Sequence, residues 1–230
     1  MPSERVPFDI TGISYDEFVF FLFGRDIPEE SFSALAARRE TNKWNPWYWT
    51  TEITGDIRPV LDYYLRLFNH STSLLEQFSR LQLEQGFWAV QTENLHCSAR
   101  SLVWNTDFEF EIRANCIRAM FPLFRDLFAT ESLESSVCMW WDSFCYCWHC
   151  GNRERSRGGE DLAMQDVMFD TLIKILGVDS KICQGAALHG LSHLHHPETK
   201  NIIEIYLGRN PLLSEDWRRV ALGAAQFDLM

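Results

Sequence analysis

Along most of the chain, hydrophobic residues recur every three to four positions. Between Glu160 and Leu176 they follow one face, and Gly177 then provides a stop signal. After Ser180, small and apolar residues recur with i, i+3, i+4, i+7 spacing: Cys183, Ala186, Ala187, Gly190, Leu191 and Leu194. No stretch shows the strict alternation of a half-buried strand. The pattern therefore predicts an all-α fold.

Helix starts and breaks are marked by local signals. Ser14 and Glu17 have capping-box spacing, and so do Ser73 and Glu76. Pro122 lies inside a helical pattern and predicts a kink or a break. The segment "VCMWWDSFCYCWH" predicts a helix with a broad apolar face, formed by Trp140, Trp141, Phe144, Cys145 and Trp148.

The pattern predicts a single helical domain with four parts. Residues 1–56 form an N-terminal segment with an aromatic loop, and 57–149 form a helical half. Residues 150–161, "CGNRERSRGGED", are rich in glycine and arginine without apolar periodicity, which is typical of a mobile loop. Residues 162–230 follow as stacked helical pairs.

A weak internal repeat favours stacking. A shift of 34 residues places Cys183 on Trp217, and Ala187 on Ala221. Repeats of this length are typical of arrays of helical pairs. The segment "AALHGLSHLHHPETKNIIEIYL" resembles a HEAT repeat, with an Ala-Leu-x-x-Leu helix, a proline-containing turn and an aliphatic second helix. The resemblance covers about residues 180–230 and implies a HEAT-like α-solenoid of stacked antiparallel pairs.

Composition narrows the functional classes. Formal net charge is −11, with 32 acidic against 21 basic residues, which argues against direct nucleic-acid binding and favours a basic partner. The longest apolar run, "FVFFLF" at 18–23, is far short of the roughly 20 residues that span a bilayer, so no membrane association is expected. No secretory signal is visible, and seven cysteines suit reduced thiols in the cytoplasm.

The histidine-rich segment is the first candidate for a metal site. His189 and His193 are one helical turn apart on one flank, and His196 (or His195) is close enough to add a third nitrogen. Against this, the flank lies away from the apolar stripe and lacks the H-E-x-x-H arrangement of zinc hydrolases. HEAT-type deoxyhypusine hydroxylases hold iron through His-Glu dipeptides, and this chain has none. A polar flank with local hydrogen bonds is the alternative.

The segment "CYCWHC" is the second candidate. On a helix, Cys147 and Cys150 are able to share a metal ion, whereas Cys145 and Cys147 point about 200° apart. Interleaved tryptophans favour the alternative, in which buried cysteines act as small apolar residues.

The aromatic loop is the candidate interface. Trp44, Trp47, Tyr48 and Trp49 lie among Asn, Pro and Thr without a helical stripe. Aromatics gathered on a loop are typical anchors for a partner protein, although the segment would also serve to seal the end of the helical array.

These patterns favour a non-catalytic scaffold that binds another protein, with no cofactor, as an immunity or inhibitor protein binds a basic partner. The alternative function is a zinc- or iron-dependent enzyme that uses His189, His193 and His196.

Overall fold

The computed structural model describes residues 5–27, 46–131, 133 and 135–229. It is mostly helical, at 64% helix, which confirms the predicted all-α class. The described residues contain eleven α-helices packed against each other, an arrangement compatible with a helical repeat, while the HEAT-like solenoid stays a prediction. The chain divides into an N-terminal unit, Met1–Cys116, and a C-terminal unit, Ile117–Met230. The single-domain prediction stays a prediction.

The N-terminal unit combines helices with two short strands that the sequence pattern did not predict. Val6 pairs with Thr51 and Asp9 with Thr54 in a two-stranded parallel sheet. The elements are β1 (Val6–Asp9), α1 (Tyr15–Phe23), a 3₁₀ turn (Trp47–Trp49), β2 (Thr51–Thr54), α2 (Val60–Asn69), a 3₁₀ turn (Ser71–Ser73), α3 (Leu74–Gln77), α4 (Arg80–Gln91), α5 (Ala99–Val103) and α6 (Phe110–Leu123), which continues into the next unit.

Serine side chains cap the starts of α1, α4 and α5. The predicted capping box of Ser14 and Glu17 is present at the start of α1. Ser73 makes no side-chain cap; instead Ser79 forms a capping box with Gln82 and starts α4. The periodic stretch from Ser71 therefore forms two helices, because Ser79 offers a better cap in mid-pattern.

The C-terminal unit contains the end of α6 and five further helices. Pro122 lies inside α6, and two residues later the chain continues as a π-helical turn, so the helix changes type near the predicted kink or break without ending there. The elements are the π turn (Phe124–Phe128), α7 (Trp140–His149), a 3₁₀ turn (Arg155–Arg157), α8 (Gly159–Leu176), α9 (Lys181–Leu194), α10 (Thr199–Arg209) and α11 (Glu215–Ala225).

Helix α9 is the centre of this unit and packs on α7, α8 and α11. The predicted stripe from Cys183 to Leu194 is buried, as is the predicted aromatic face of α7. Gly190 allows α9 to approach α7 closely, because a Cβ at this position would lie 2.6 Å from the Cβ of Trp141. This approach places the polar flank of α9 against α7.

The arginine-rich loop is held by ion pairs. Arg153 pairs with Asp161, and Arg155 with Asp166. Gly158 and Gly159 have φ of 68° and 56°, a conformation that favours glycine, and α8 begins there.

None of the helices in the described ranges has both the length and the apolar composition of a bilayer-spanning segment.

Candidate metal centre

The flank of α9 carries two histidines whose rings meet. His189 and His193 are four residues apart, so both side chains project from the same side of the helix. Their Nε2 atoms are 2.7 Å apart. Because the stripe containing Gly190 packs closely against the unit's core, this flank faces α7, where His193 is buried and His189 is half-buried.

Asp142 on α7 completes the group. Its Oδ1 is 3.2 Å from Nε2 of His193. One ligand atom from each of Asp142, His189 and His193 lies within 4.8 Å of the others. Among the described residues, these three form the cluster of histidine, cysteine and acidic side chains that is close enough to share a metal ion. We call these three residues the metal group. Sequence reasoning missed Asp142, although a single acid beside the aromatic face of the predicted α7 helix was an available signal.

A backbone carbonyl sets the tautomer of His189. Its Nδ1 is 3.2 Å from the carbonyl oxygen of Cys138. A carbonyl only accepts hydrogen bonds, so Nδ1 donates, and neutral His189 then carries a lone pair on Nε2. Metal-bound histidines usually donate their other N–H to a carbonyl or a carboxylate in this way.

His193 is buried and neutral. Its side chain is 3% exposed, and burial, together with the charges of His189, His149 and His195, lowers the pKa of His193 to about 4. Because Nε2 of His189 is an acceptor, His193 donates from Nε2. Its Nδ1 is buried and has no hydrogen-bond partner within the described ranges. A neutral imidazole is the form that binds metal ions.

Asp142 is a carboxylate without a basic side chain beside it. In the described part of the chain it pairs with the neutral His193, and no lysine or arginine pairs with it. Burial raises the pKa of Asp142, while the charges of His189 and His149 partly offset that rise. A cation bound to this carboxylate would stabilise its ionised form and offset the cost of burying the charge.

Two further histidines lie beside the metal group. Nδ1 of His149 is 3.2 Å from Nε2 of His195, and the His149 ring centroid is 4.8 Å from that of His193. His195 ends α9 in a left-handed conformation, with φ of 53°, and stacks on Phe227 at 4.5 Å. Burial, then the charge of His149, lowers the pKa of His195.

His196, predicted as a third ligand, lies elsewhere. Its Nε2 is 3.0 Å from Oδ1 of Asp166, and its ring stacks on Phe169 at 3.7 Å. The left-handed residue before it turns the chain away from the metal group. The geometry thus brings Asp142, and not His196, to His189 and His193 as the third candidate ligand.

The two predicted cysteine ligands are also separate from the metal group. Cys147 is half-buried, and Cys150 is exposed at the C-terminal end of α7. Neither belongs to the group of candidate ligands in the described residues. Cys145 is fully buried, as the alternative interpretation of "CYCWHC" requires.

The predicted interface residues lie in the N-terminal unit. Trp44 lies outside the described residues. Tyr48 is buried, and Trp47 packs edge-on against Phe21 with 5.2 Å between ring centroids. Trp49 is half-buried and 6.4 Å from Tyr48 by ring centroids. Binding of a partner by these aromatics stays a prediction.

No protein-family model matches the chain, and it has no significant match among curated proteins or solved structures. Membership of the HEAT family therefore stays a prediction.

Proposed function

We propose that this protein binds one zinc ion through Asp142, His189 and His193. The observation that carries the proposal is the convergence of these three ligand atoms within 4.8 Å, on two helices that Gly190 allows to approach closely. A pair of histidines with a carboxylate is a ligand set that zinc accepts.

The protonation states support the proposal. His189 presents a lone pair because Nδ1 donates to the Cys138 carbonyl. His193 is neutral, so binding zinc at its Nε2 requires the other neutral tautomer, in which Nδ1 carries the ring proton. Asp142 supplies the negative charge that offsets part of the charge of the ion.

Two of the three separations between ligand atoms are close to those of a tetrahedral zinc site, and the third, between Asp142 and His189, lies within 4.8 Å. Two ligand atoms on one tetrahedral zinc ion are about 3.3 Å apart, since each Zn–N bond is about 2.0–2.1 Å. The Asp142–His193 separation of 3.2 Å already fits, whereas the 2.7 Å between the histidine nitrogens must widen by a fraction of an ångström.

Three protein ligands leave one tetrahedral position for water or a substrate. Zinc sites of this kind are typically catalytic, whereas structural sites use four protein ligands. The site therefore supports the hypothesis of a metal-dependent enzyme, with Asp142 replacing the predicted His196. The non-catalytic scaffold with a basic partner is the competing proposal.

Zinc content and affinity test this directly. The full chain, stripped with chelator and then dialysed against zinc, is expected to retain one equivalent by elemental analysis. Isothermal titration with zinc is expected to lose its signal in His189→Ala and in His193→Ala. His96→Ala is the matched control, because His96 is exposed in the N-terminal unit.

A further variant separates the two ligand sets. His196→Ala is expected to bind zinc like the wild type, because its ring contacts Asp166 and Phe169 instead. Absence of stoichiometric zinc in the wild type would contradict the proposal. Retention of ferrous iron in place of zinc would keep the site but change the metal, since two histidines and a carboxylate also form the ligand set of non-haem iron.

A further inference from the structure

The N-terminal unit contains an open groove that the metal proposal does not use. It has a volume of about 720 Å³ and is lined by β1, by α1 and by the residues that connect and follow them. Volumes of this size accept side chains or small ligands. Its aromatic and acidic lining residues are Phe8, Asp9, Asp16, Glu17, Phe20 and Phe21.

Aromatic rings form the apolar part of the groove. Phe8 stacks on Phe21 with 4.2 Å between ring centroids, and Phe20 leaves 64% of its surface exposed. The guanidinium of Arg25 lies 5.2 Å from the Phe21 ring centroid and 4.7 Å from that of Trp47. The surface therefore already holds one guanidinium by cation–π contact.

Acidic side chains form the rim. Asp9, Asp16 and Glu17 are exposed, and they outnumber Arg25, which is the cation among the lining residues. Hydrogen bonds from Thr11 lower the pKa of Asp9, and hydrogen bonds from Ser14 lower that of Glu17, so both carboxyls are ionised at neutral pH. The acidic net charge of the whole chain, −11, adds long-range attraction for a cationic ligand.

We propose that this groove binds a basic amphipathic segment of a partner protein. Apolar side chains of that segment cover Phe8 and Phe20, and its lysines or arginines pair with Asp9, Asp16 and Glu17. The groove residues lie outside the aromatic segment first predicted as the interface, which they adjoin through the contact of Phe21 with Trp47. This interaction does not depend on the zinc site.

Fluorescence anisotropy with the full chain tests the surface. The probe is a labelled synthetic peptide of alternating lysine and phenylalanine, and the comparison peptide replaces each phenylalanine with serine. At physiological salt the first peptide is expected to bind at least about tenfold more tightly than the second, because only it covers the exposed rings.

Two variants locate the binding. Phe20→Ser and Asp16→Lys are expected to weaken capture of the phenylalanine peptide by about tenfold each. Both positions are exposed, so the fold tolerates the changes. Asp170→Lys is the matched control, since it changes an exposed acid in the C-terminal unit by the same charge.

Three results would overturn the proposal. They are equal affinity for the two peptides, equal effects of Asp16→Lys and Asp170→Lys, or an absence of binding by the wild type. Each leaves the zinc titration unaffected, so the two proposals fail independently.

Discussion

Two histidine–carboxylate pairs in the C-terminal unit have nearly the same distance but different surroundings. His193 lies 3.2 Å from Asp142, and His196 lies 3.0 Å from Asp166. Asp166 also pairs with Arg155, a permanent cation. Asp142 has no such partner in the described ranges and is surrounded by histidines instead.

The pKa directions reflect this difference. Burial raises the pKa of Asp166, but the hydrogen bonds from Arg155 and His196, with the charge of Arg155, bring it below the ordinary value. Burial also raises the pKa of Asp142, and the nearby histidines do not reverse that rise. The comparison teaches that a guanidinium beside a buried carboxylate outweighs the effect of burial on its pKa, whereas the histidines around Asp142 do not.

The largest expected effect is on zinc affinity. Asp142→Asn removes the charged ligand and is expected to weaken zinc binding at least about 100-fold. Asp166→Asn keeps the metal group intact and is expected to change the Kd less than about threefold. Isothermal titration of both variants measures the difference. Equal losses would show that the two pairs are not distinct in function.

A second prediction concerns the close approach that builds the site. Gly190→Ala places a Cβ 2.6 Å from the Cβ of Trp141, next to Asp142 in sequence. We expect the free energy of unfolding to fall by about 2 kcal/mol through overpacking, and zinc affinity to fall with it as α7 shifts. Urea unfolding measures the first effect.

Gly208→Ala is the matched control, because a Cβ there meets nothing within 4 Å. It is expected to leave stability unchanged or raise it by up to about 1 kcal/mol, since alanine favours a helix. A destabilisation equal to that of Gly190→Ala would contradict the packing argument.

The third prediction is a pH dependence of the metal-free protein, kept in chelator. His193 faces Asp142, His149, His189 and His195, and its folded pKa of about 4 lies below the ordinary 6.5. The unfolded chain therefore binds a proton more readily, so stability is full above 6.5 and is lost as pH falls towards 4.

The loss is expected to be on the order of 2 kcal/mol. His193→Gln should make the decline shallower, while His195 and His196, whose pKa values are also lowered, retain part of it. Urea unfolding across this pH range provides the measurement, and identical slopes for wild type and variant would contradict the assignment.

The smallest expected effect is on the free energy of unfolding of the metal-free protein, and it has opposite signs for Asp142→Asn and Asp166→Asn. Without metal at neutral pH, Asp142→Asn is expected to raise the free energy of unfolding by less than about 1 kcal/mol, because a raised folded pKa means that ionisation costs stability. Asp166→Asn is expected to lower the free energy of unfolding by a similar amount. The lowered pKa of Asp166 in the folded protein means that its ionised form stabilises the fold at neutral pH, and asparagine removes that contribution. Urea unfolding of both variants measures the two changes. If both variants were stabilised, or both destabilised, the contrast between Asp142 and Asp166 would be wrong.

Helical periodicity in the sequence predicted most of the helices. The stripe of α9 and the aromatic face of α7 are buried as predicted, because each depends only on spacing within one helix. The strands β1 and β2 were missed. Each has four residues, too few to show alternation, and Val6 meets Thr51 only through tertiary contact.

The candidate site was predictable only where its parts share a helix. Spacing alone brought His189 and His193 together. Asp142 reaches them through the packing of α7 on Gly190, which no local pattern specifies. His196 follows the pair in sequence, yet the left-handed His195 directs it to Asp166. Backbone direction at a helix end thus decided which neighbours in sequence became neighbours in space.

The hydrogen bond between His189 and residue 138 has a consequence for mutagenesis. Its acceptor belongs to the main chain, so exchanging the thiol of Cys138 for another group leaves that acceptor in place. An alanine scan would therefore not test this hydrogen bond, because the peptide unit that orients the imidazole is unchanged in Cys138→Ala. Only a change in the path of the chain, such as an insertion or a deletion before α7, would expose its contribution.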